Sequence, residues 1–163
     1  MKAHQKTIGG CDEWLTPKWI LDSLGDFDLD PCASVARPWP TACRHLTETD
    51  DGLKHEWSGR VWLNPPFNRS ERPKWMRKMA EHNNGIMLIP AACETKPFRE
   101  FVWGKATGVL MLSKRPHFCY TSGVSAKANS GCTICLVSYG GINRDVLIRS
   151  RLGVVLVEAG GAA

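Results

Sequence analysis

The sequence has no long hydrophobic run, and this lack excludes the class of membrane-spanning proteins. No apolar stretch approaches the roughly 18 residues that a transmembrane helix needs. The opening segment MKAHQKTIGG also lacks the apolar core of a secretory signal peptide. Internal repeats and low-complexity tracts are missing as well. We therefore expect a cytoplasmic protein that makes no membrane contact.

The cysteine content argues against a disulfide-stabilised fold. Seven cysteines are an odd number, whereas a disulfide framework uses cysteines in pairs. The spacing of Cys132 and Cys135 resembles a pair of metal ligands, but residues three apart in a predicted strand point to opposite faces. We expect reduced, mostly buried thiols and no metal site.

The length and composition indicate one globular domain. The chain has 163 residues, of which 43% are hydrophobic and 23% are charged. These values exclude a disordered chain and a coiled coil. We expect a single domain over residues 1–163, with flexible ends at 1–11 and 160–163. Nothing in the sequence indicates an obligate protein partner, and we expect a monomer or a weak dimer.

Acidic residues are scarce in the second part of the chain, so the charge is unevenly distributed. Residues 1–58 carry 6 Lys/Arg and 10 Asp/Glu, whereas residues 59–163 carry 15 and 6, and the local net charges are −4 and +9. A basic surface of this size would attract a polyanion. An ordinary solvated surface with spare lysines gives the same counts, so charge alone does not decide between them.

Three segments share the signals of a short helix, namely a capping oxygen, a proline in the first turn and a glycine after the end. They run from Thr16 to Gly25, from Ser70 to Gly85 and from Thr95 to Gly104. In the second segment the apolar side chains form one stripe and most basic side chains lie away from it. We expect that helix to pack inward and to be basic outward.

Short β-rich apolar runs lie between and after these helices. They are Phe27–Asp30, Arg60–Leu63, Gly85–Ile89, Val109–Leu112, Thr133–Tyr139 and Val154–Val157. Strands that alternate with helices predict an α/β fold with mostly parallel pairing and helices on both faces of the sheet. The consecutive runs near the C-terminus, with no helix predicted between them, predict a final antiparallel hairpin. Residues 33–45 and 119–131 are predicted as surface loops, and long loops in compact domains are often functional.

The most specific motif is Asn64-Pro65-Pro66-Phe67, which follows the apolar run Val61–Leu63. Ligands of open α/β sheets bind at the carboxyl ends of strands, where this motif would lie. The prolines have no N–H, so the backbone offers carbonyl oxygens without competing donors. The Asn64 side-chain oxygen and the Pro65 carbonyl can each accept one hydrogen of a planar –NH2 group. A stiff turn that only ends a strand is the alternative for the bare tetrapeptide.

Such a pair of acceptors suits one kind of reaction. An exocyclic amine is a poor nucleophile because its lone pair is delocalised into the ring. Two acceptors that hold both hydrogens favour a more tetrahedral nitrogen and stabilise the positive charge that develops during its attack on an electrophilic carbon. An aromatic side chain beside them, such as Phe67, can stack on the ring that carries the amine. No general base is required.

The Asn64 motif is similar to the Asn/Asp-Pro-Pro-aromatic motif of amino-group methyltransferases that use S-adenosylmethionine. More of the chain resembles, in order and spacing, the small phage-type DNA N6-adenine methyltransferases, the DNA adenine methyltransferase (Dam) family. The matching segments are Glu13–Pro17, Leu29–Ala33, Asp51–Leu53 with Trp57, Leu88–Ala91 with Glu94 and Thr95, Arg115 with Phe118, and Asn129–Gly131. The resemblance covers residues 12–140 and implies an abbreviated Rossmann-like methyltransferase sheet, without a separate target-recognition domain.

The resemblance also implies roles for single residues. The catalytic motif would be Asn64, Pro65, Pro66 and Phe67, with Phe67 stacked on a flipped adenine. The S-adenosylmethionine pocket would be formed by Trp14, Thr16, Pro17, Asp30, Pro31 and Cys32, with Asp50 or Asp51 at the adenosine part. Each of these residues also has a local explanation as a helix cap, a turn residue or a solvated loop acid.

The chain departs from the wider methyltransferase pattern in two ways. After Asp30 there is no Gly-x-Gly turn, since the chain continues Pro-Cys-Ala-Ser. Between this loop and Asn64 there are too few residues for complete strand–helix repeats, so we expect an abbreviated sheet there. The carboxylate that contacts the donor ribose is therefore not assigned.

Double-stranded DNA is the expected partner, because of the resemblance and because basic residues surround the motif. Lysine and arginine hold phosphates and set the register without reading sequence. The candidates are Arg69, Arg72, Lys74 and Lys78 after the motif, and Lys114, Arg115 and Lys127 near the second loop; Arg60 and Arg77 are also close in sequence. The resemblance further suggests a phage enzyme in a bacterial host cytoplasm that evades restriction.

Two alternatives remain open from the sequence. The same tetrapeptide occurs in enzymes that methylate a protein glutamine or an RNA base, although a protein substrate would not account for the basic surroundings. The second alternative is a non-catalytic DNA-binding protein of methyltransferase descent, for which the missing glycine turn is the only support. Most of the tryptophans are expected in the core. Trp39 is the exception, which is expected to stack on the displaced partner base, cover the cofactor or plug a loop onto the core.

Overall fold

The computed structural model describes residues 13–157, which form one mixed sheet with helices on both faces. The predicted flexible ends, 1–11 and 160–163, lie outside the described residues. The strand order is β2-β1-β3-β4-β6-β5-β7. The strands are β1 Leu29–Asp30, β2 Arg44–His45, β3 Val61–Leu63, β4 Gly85–Pro90, β5 Gly108–Leu112, β6 Ile134–Tyr139 and β7 Gly153–Leu156. The helices are α1 Lys18–Asp22, α2 Arg72–His82, α3 Lys96–Phe101 and α4 Gly141–Ser150.

The sheet confirms the predicted α/β class. Strands β2, β1, β3 and β4 pair in parallel, β6 lies antiparallel between β4 and β5, and β7 pairs antiparallel with β5. Five of the seven strands of this sheet therefore run in the same direction. The antiparallel C-terminal part is present, with one difference in its connection: β7 pairs with β5, and helix α4 links β6 to β7.

Two apolar layers cover the two faces of the sheet. Helices α2 and α3 bury Trp75, Met79 and Phe98 on one face, while α1 and α4 bury Ile20 and Leu147 on the other. Strands β3, β4 and β6 are buried on both faces, as parallel-type central strands usually are. This two-sided core fixes the strand ends at which the candidate site lies.

The three predicted helices form, each within the segment that its signals enclose. Proline lies in the first turn of α2 and α3, where its missing N–H costs nothing. The second helix ends at His82, three residues before Gly85, because Asn83 adopts the left-handed conformation (φ 54°) and its N–H donates to the Met79 carbonyl.

Residues 31–60 show the predicted abbreviation of the sheet. Between β1 and β3 this segment holds only the two-residue strand β2 and no helix. The segment instead folds as turns that return over the end of β1, with Ala33 N–H donating to the Leu46 carbonyl at 2.9 Å. A short loop layer thus replaces the strand–helix repeats of a larger donor-binding fold.

Arg60 directly precedes β3 and lies at the opposite end of this strand from the Asn64 motif. Its guanidinium donates to the Leu24 and Asp26 carbonyls and to Asn143 Oδ1, at 2.9, 2.6 and 2.7 Å. It also lies over the Phe27 ring at 4.1 Å. These contacts join α1, β3 and α4, so Arg60 stabilises the fold.

The cysteines and the helices complete the description of the fold. The six described cysteines are free thiols, and Cys132 and Cys135 pack on opposite faces of the sheet. Among residues 13–157 no three His, Cys, Asp or Glu side chains cluster as a metal site would require. None of the helices in this part of the chain has the length and apolar character needed to cross a bilayer.

Candidate active site

Loops from four parts of the chain meet at the carboxyl ends of β1 and β3. Asn64 follows β3, and its side-chain N–H donates to the Trp14 carbonyl at 3.0 Å. Glu13 accepts a hydrogen bond from Ser34 at 2.7 Å, which joins the N-terminal segment to the loop after β1. Leu15 pairs with Cys119 through two backbone hydrogen bonds of 2.9 Å, which adds the loop before β6. The segments predicted to bind S-adenosylmethionine and the segment predicted to be catalytic are therefore neighbours.

Asn64 and Pro65 keep their acceptors available. Because the Asn64 amide nitrogen bonds Trp14, its Oδ1 is turned away from that contact. Neither Asn64 Oδ1 nor the Pro65 carbonyl accepts a hydrogen bond from any residue in the described range 13–157. Asn64 is half-buried and Pro65 is buried, so the pair lies below the surface. Two acceptors without donors on a rigid turn are what binding of an –NH2 group requires.

Two aromatic contacts frame this turn. Phe67 is half-buried and meets Phe118 edge to face, with ring centroids 5.8 Å apart. Trp14 lies against Tyr120 at 5.4 Å. Pro66, which directly precedes Phe67, is exposed and forms no hydrogen bond with the described residues 13–157. The sequence assigns no role to the Phe118 and Tyr120 rings, although the Arg115–Phe118 spacing and the predicted loop 119–131 indicate that this segment is functional.

Thr16 provides an unsatisfied polar atom at the same edge. Its side chain is only 2% exposed, and its hydroxyl has no hydrogen-bond partner in the described part of the chain. Pro17 beside it is buried and precedes the first residue of α1. A buried hydroxyl without a partner costs free energy, and such groups often face a ligand.

Asp30 is a buried carboxylate at the end of β1. Its Oδ1 accepts the Cys32 N–H at 3.0 Å, and its Oδ2 accepts the Thr41 hydroxyl. Burial raises the pKa of this carboxyl from 3.8 to about 6, although the two hydrogen bonds and Arg37 act in the opposite direction. Burial likewise raises the pKa of the Cys32 thiol to about 12. Asp30 thus holds both ends of the loop that follows it.

Asp50 and Asp51 lie in the segment that packs on this loop. Hydrogen bonds from the Thr47 N–H and hydroxyl, at 2.8 and 2.9 Å, lower the pKa of Asp50. Asp51 pairs with Lys54 at 2.8 Å, and this partner lowers its pKa. Both carboxylates are therefore engaged in local turns. The next residue, Gly52, is buried directly against the Pro31 carbonyl.

Replacing Gly52 with alanine is expected to disturb the loop after β1. A Cβ at this position would overlap the Pro31 carbonyl oxygen, which belongs to rigid backbone. We expect the free energy of unfolding to fall by about 1–3 kcal/mol and donor affinity to fall by about tenfold. Calorimetric titration and chemical denaturation measure the two quantities.

Gly141→Ala is the matched control for that substitution. A Cβ at Gly141 meets no atom within 4 Å, and the residue lies in α4 on the far edge. We expect stability and donor affinity close to those of the original chain. Equal behaviour of the two variants would show that the contact between Gly52 and Pro31 does not shape the loop.

The two predicted surface loops lie against each other. Trp39 packs on the apolar layer of α1, and a Cβ added at Gly123 would lie 2.8 Å from Pro38 and 3.2 Å from the Trp39 ring. Gly123 has a φ of +85°, which favours glycine. Trp39 therefore fixes its loop onto the core, which is one of the three placements expected from the sequence.

The predicted DNA-contacting residues fall into two groups. Arg69, Lys114, Arg115 and Lys127 are exposed and Arg72 is half-buried, all in segments near the Asn64 turn. Lys74 is also exposed, but it pairs with Glu71 at 3.0 Å. Lys78 differs, because its ammonium donates to the Leu53 and His55 carbonyls and lies 5.2 Å from the centre of the Trp57 ring. Lys78 therefore fastens the segment around Gly52 to α2.

A parallel strand that ends in Asn-Pro-Pro-Phe beside a carboxylate-anchored loop, within a mixed sheet covered on both faces, defines a methyltransferase-like α/β protein. Residues 4–140 match the family model described as DNA N-6-adenine-methyltransferase (Dam). Searches among curated proteins and among solved structures found no match. The family match covers most of the 163 residues, and the chain belongs to the DNA N-6-adenine-methyltransferase (Dam) family.

Proposed function

We propose that this protein transfers a methyl group from S-adenosylmethionine to N6 of adenine in double-stranded DNA. Family membership supports methylation of DNA adenine. The observation that carries the finer proposal is the pair of unclaimed acceptors, Asn64 Oδ1 and the Pro65 carbonyl, at the carboxyl end of β3. A planar amine that offers two hydrogens is the complementary ligand.

Asn64 and Pro65 would act on the target nitrogen directly. Each oxygen would accept a hydrogen bond from one N6 hydrogen. These two hydrogen bonds favour a tetrahedral nitrogen and stabilise the positive charge that develops on it during attack. The hydrogen bond of 3.0 Å from Asn64 to Trp14 fixes the amide so that its oxygen stays turned outward. Preorganisation of this kind avoids reorientation during the reaction.

Phe67 would stack on the adenine ring. It follows the acceptors on the same turn, and Pro66 limits the flexibility of the backbone between them. Adenine in a duplex is paired and its N6 is not accessible to a buried turn, so the base must leave the helix. The edge-to-face contact with Phe118 gives the Phe67 ring a fixed wall.

The residues near the end of β1 fit a donor site. Bound S-adenosylmethionine would supply the electrophilic methyl group. The buried Thr16 hydroxyl lacks a partner among the described residues and is available to a ligand. Asp30 would act through the loop that it holds, because both of its oxygens bond that loop. Trp14, Pro17, Pro31 and Cys32 would line the same pocket, with Asp50 and Asp51 in the adjoining segment.

The exposed arginines and lysines near the turn would hold the DNA backbone. Arg69, Lys114, Arg115 and Lys127 are available for phosphate contacts, which supply affinity without reading sequence. We propose a cytoplasmic enzyme that acts as a monomer or weak dimer. Protection of phage DNA from restriction is the role that this activity would serve.

Methyl transfer to parallel acceptors tests the proposal. The purified chain is incubated with labelled S-adenosylmethionine and, in separate reactions, unmethylated duplex DNA, RNA or a cell-free protein extract. We expect label in DNA only. Label in RNA or protein would replace the proposed acceptor. Donor binding without any transfer, or no donor binding, would favour a non-catalytic DNA-binding protein.

A further inference from the structure

A cavity that is lined by neither Asn64 nor Pro65 lies beside the segment that follows the Asn64 motif. It lies between the first turns of α2 and α3 at the carboxyl end of β4, is partly open to solvent, and has a volume of about 430 Å³. This size is that of a site for a small organic group rather than for a single ion. Its floor is apolar and its rim is polar. The floor includes Met76, Ile89, Pro90, Pro97 and Phe98, and the rim includes Arg69, Arg72, Glu94 and Thr95.

The two arginines of this rim have no counter-ion in the structure. Neither Arg69 nor Arg72 forms a salt bridge with any residue in the described range. Glu94 lines the same cavity without approaching either guanidinium within 4.0 Å. Partial burial lowers the pKa of Arg72, and the neighbouring charge of Arg69 lowers it further. Two guanidinium groups that line one cavity and pair with no carboxylate among the described residues are complementary to an anion.

Arg72 also contacts the turn that carries the acceptors. Its Nη1 donates to the Phe67 carbonyl at 3.3 Å. Phe67 is the last residue of the catalytic motif, and only four residues separate it from Arg72. A group bound between the two arginines would therefore determine where the Arg72 guanidinium lies and, through it, how firmly the turn is held.

We propose that this cavity binds one phosphodiester of the substrate DNA next to the target adenine, together with its deoxyribose. The phosphate would lie between Arg69 and Arg72 and the sugar would lie on the apolar floor. Arg72 is then a positioning residue, because it couples an occupied cavity to the Phe67 backbone. This inference rests on the proposed DNA substrate and deepens it, since it assigns one cavity to one linkage.

Duplexes with a single neutral linkage test the site. Methylphosphonate is placed at one position at a time around the target adenine, and affinity is measured by fluorescence anisotropy. At one position we expect the original protein to lose about tenfold in affinity. Arg69→Gln should lose about tenfold on unmodified DNA and nothing more at that position, because the removed charges interact with each other.

Lys96→Gln is the matched control for the loss of one positive charge. Lys96 begins α3 close to the cavity, is 76% exposed and pairs with Glu100 at 3.5 Å. We expect Lys96→Gln to lose little affinity for DNA. This loss should be independent of the methylphosphonate, so that the two fold-changes in affinity multiply at every position. If the fold-changes of Arg69→Gln and methylphosphonate also multiply at every position, the assignment of one phosphate to the cavity is overturned.

A comparison of kcat and KM tests the positioning role. Arg69→Gln should raise KM for DNA with kcat within about twofold, whereas Arg72→Gln should raise KM and lower kcat by about tenfold. Donor binding and thermal unfolding report on folding of both variants. An Arg72→Gln protein that binds donor and retains its kcat overturns the coupling. Unchanged KM in both variants overturns phosphate binding as well.

Failure of this inference is distinguishable from failure of the proposed function. Suppose that the original protein methylates DNA, but that the losses of affinity from Arg69→Gln and from methylphosphonate multiply at every position. Only the cavity assignment is then wrong. If the original protein neither binds nor methylates duplex DNA, the DNA substrate is wrong and the cavity assignment fails with it. That second result is seen before any variant is compared.

Discussion

Replacing Asn64 with alanine is expected to lower the single-turnover rate of methyl transfer by at least about 100-fold. The lost oxygen interacts mainly with charge that develops on the target nitrogen, so the chemical step suffers more than ground-state binding. The same change removes the hydrogen bond of 3.0 Å to the Trp14 carbonyl. We expect the donor dissociation constant to change by less than about threefold, because the backbone pairing of Leu15 with Cys119 still holds that segment.

Asn64→Asp separates the two functions of this side chain. It keeps acceptor oxygens at the turn and loses the amide donor to Trp14. We expect it to retain more of the rate than Asn64→Ala does. Rapid mixing of the enzyme–donor complex with excess DNA measures the step. An Asn64→Ala protein with an unchanged single-turnover rate would remove Asn64 from the catalytic site.

Replacing Asp30 with asparagine is expected to stabilise the protein above pH 6. The folded state raises the pKa of this carboxyl from 3.8 to about 6, so the folded protein binds the proton more tightly than the unfolded chain. The stability that the protonated Asp30 carboxyl contributes is fully present below about pH 4 and is lost as the pH rises through 6. This shift in pKa corresponds to a difference in the free energy of unfolding on the order of 3 kcal/mol.

Denaturation of the original chain and Asp30→Asn at several pH values measures this effect. Asparagine keeps an acceptor for the Cys32 N–H and a polar partner for Thr41. The difference in free energy of unfolding should therefore be small at pH 4 and reach its full value near pH 7. A difference that does not depend on pH would contradict the burial of this charge.

Asp30→Ala has a different expected result, because it releases the loop. Without an acceptor at position 30, residues 32 and 41 are no longer tied to the end of β1. We expect donor affinity to fall by about tenfold or more in Asp30→Ala and to remain nearly unchanged in Asp30→Asn. Unaltered donor affinity in Asp30→Ala would show that the loop is not part of the donor site.

The helices that the sequence predicted and the one it did not predict differ in their end signals. Helices α2 and α3 have proline in the first turn and lie within segments that end at a glycine. Helix α4 begins at Gly141 after Gly140 and ends at Ser150, before Arg151, whose φ is 56°. Its Ile142 and Ile148 are 75% and 52% exposed, so no apolar stripe marks a buried face. The two-residue strand β2 is too short to give a periodic pattern.

The motifs of the site were readable from the sequence, but the contacts among them were not. The spacing of Asn64-Pro65-Pro66-Phe67 after an apolar run predicted a turn at a strand end, and β3 confirms that position. The hydrogen bond to Trp14 and the contact of Phe67 with Phe118 join residues about 50 positions apart. Such pairs depend on the strand order of the whole sheet. The basic charge of Lys78 likewise gave no sign that its ammonium binds two carbonyls.

Mass spectrometry of nucleosides tests the central claim most directly. Unmethylated duplex DNA is incubated with S-adenosylmethionine and the purified protein, digested to nucleosides and compared with the same reaction of Asn64→Ala. We expect N6-methyladenine with the original chain and at most a trace with the variant. Methylation of another base, or equal N6-methyladenine from both proteins, would contradict the assignment of Asn64 and Pro65 as the acceptors of the adenine amine.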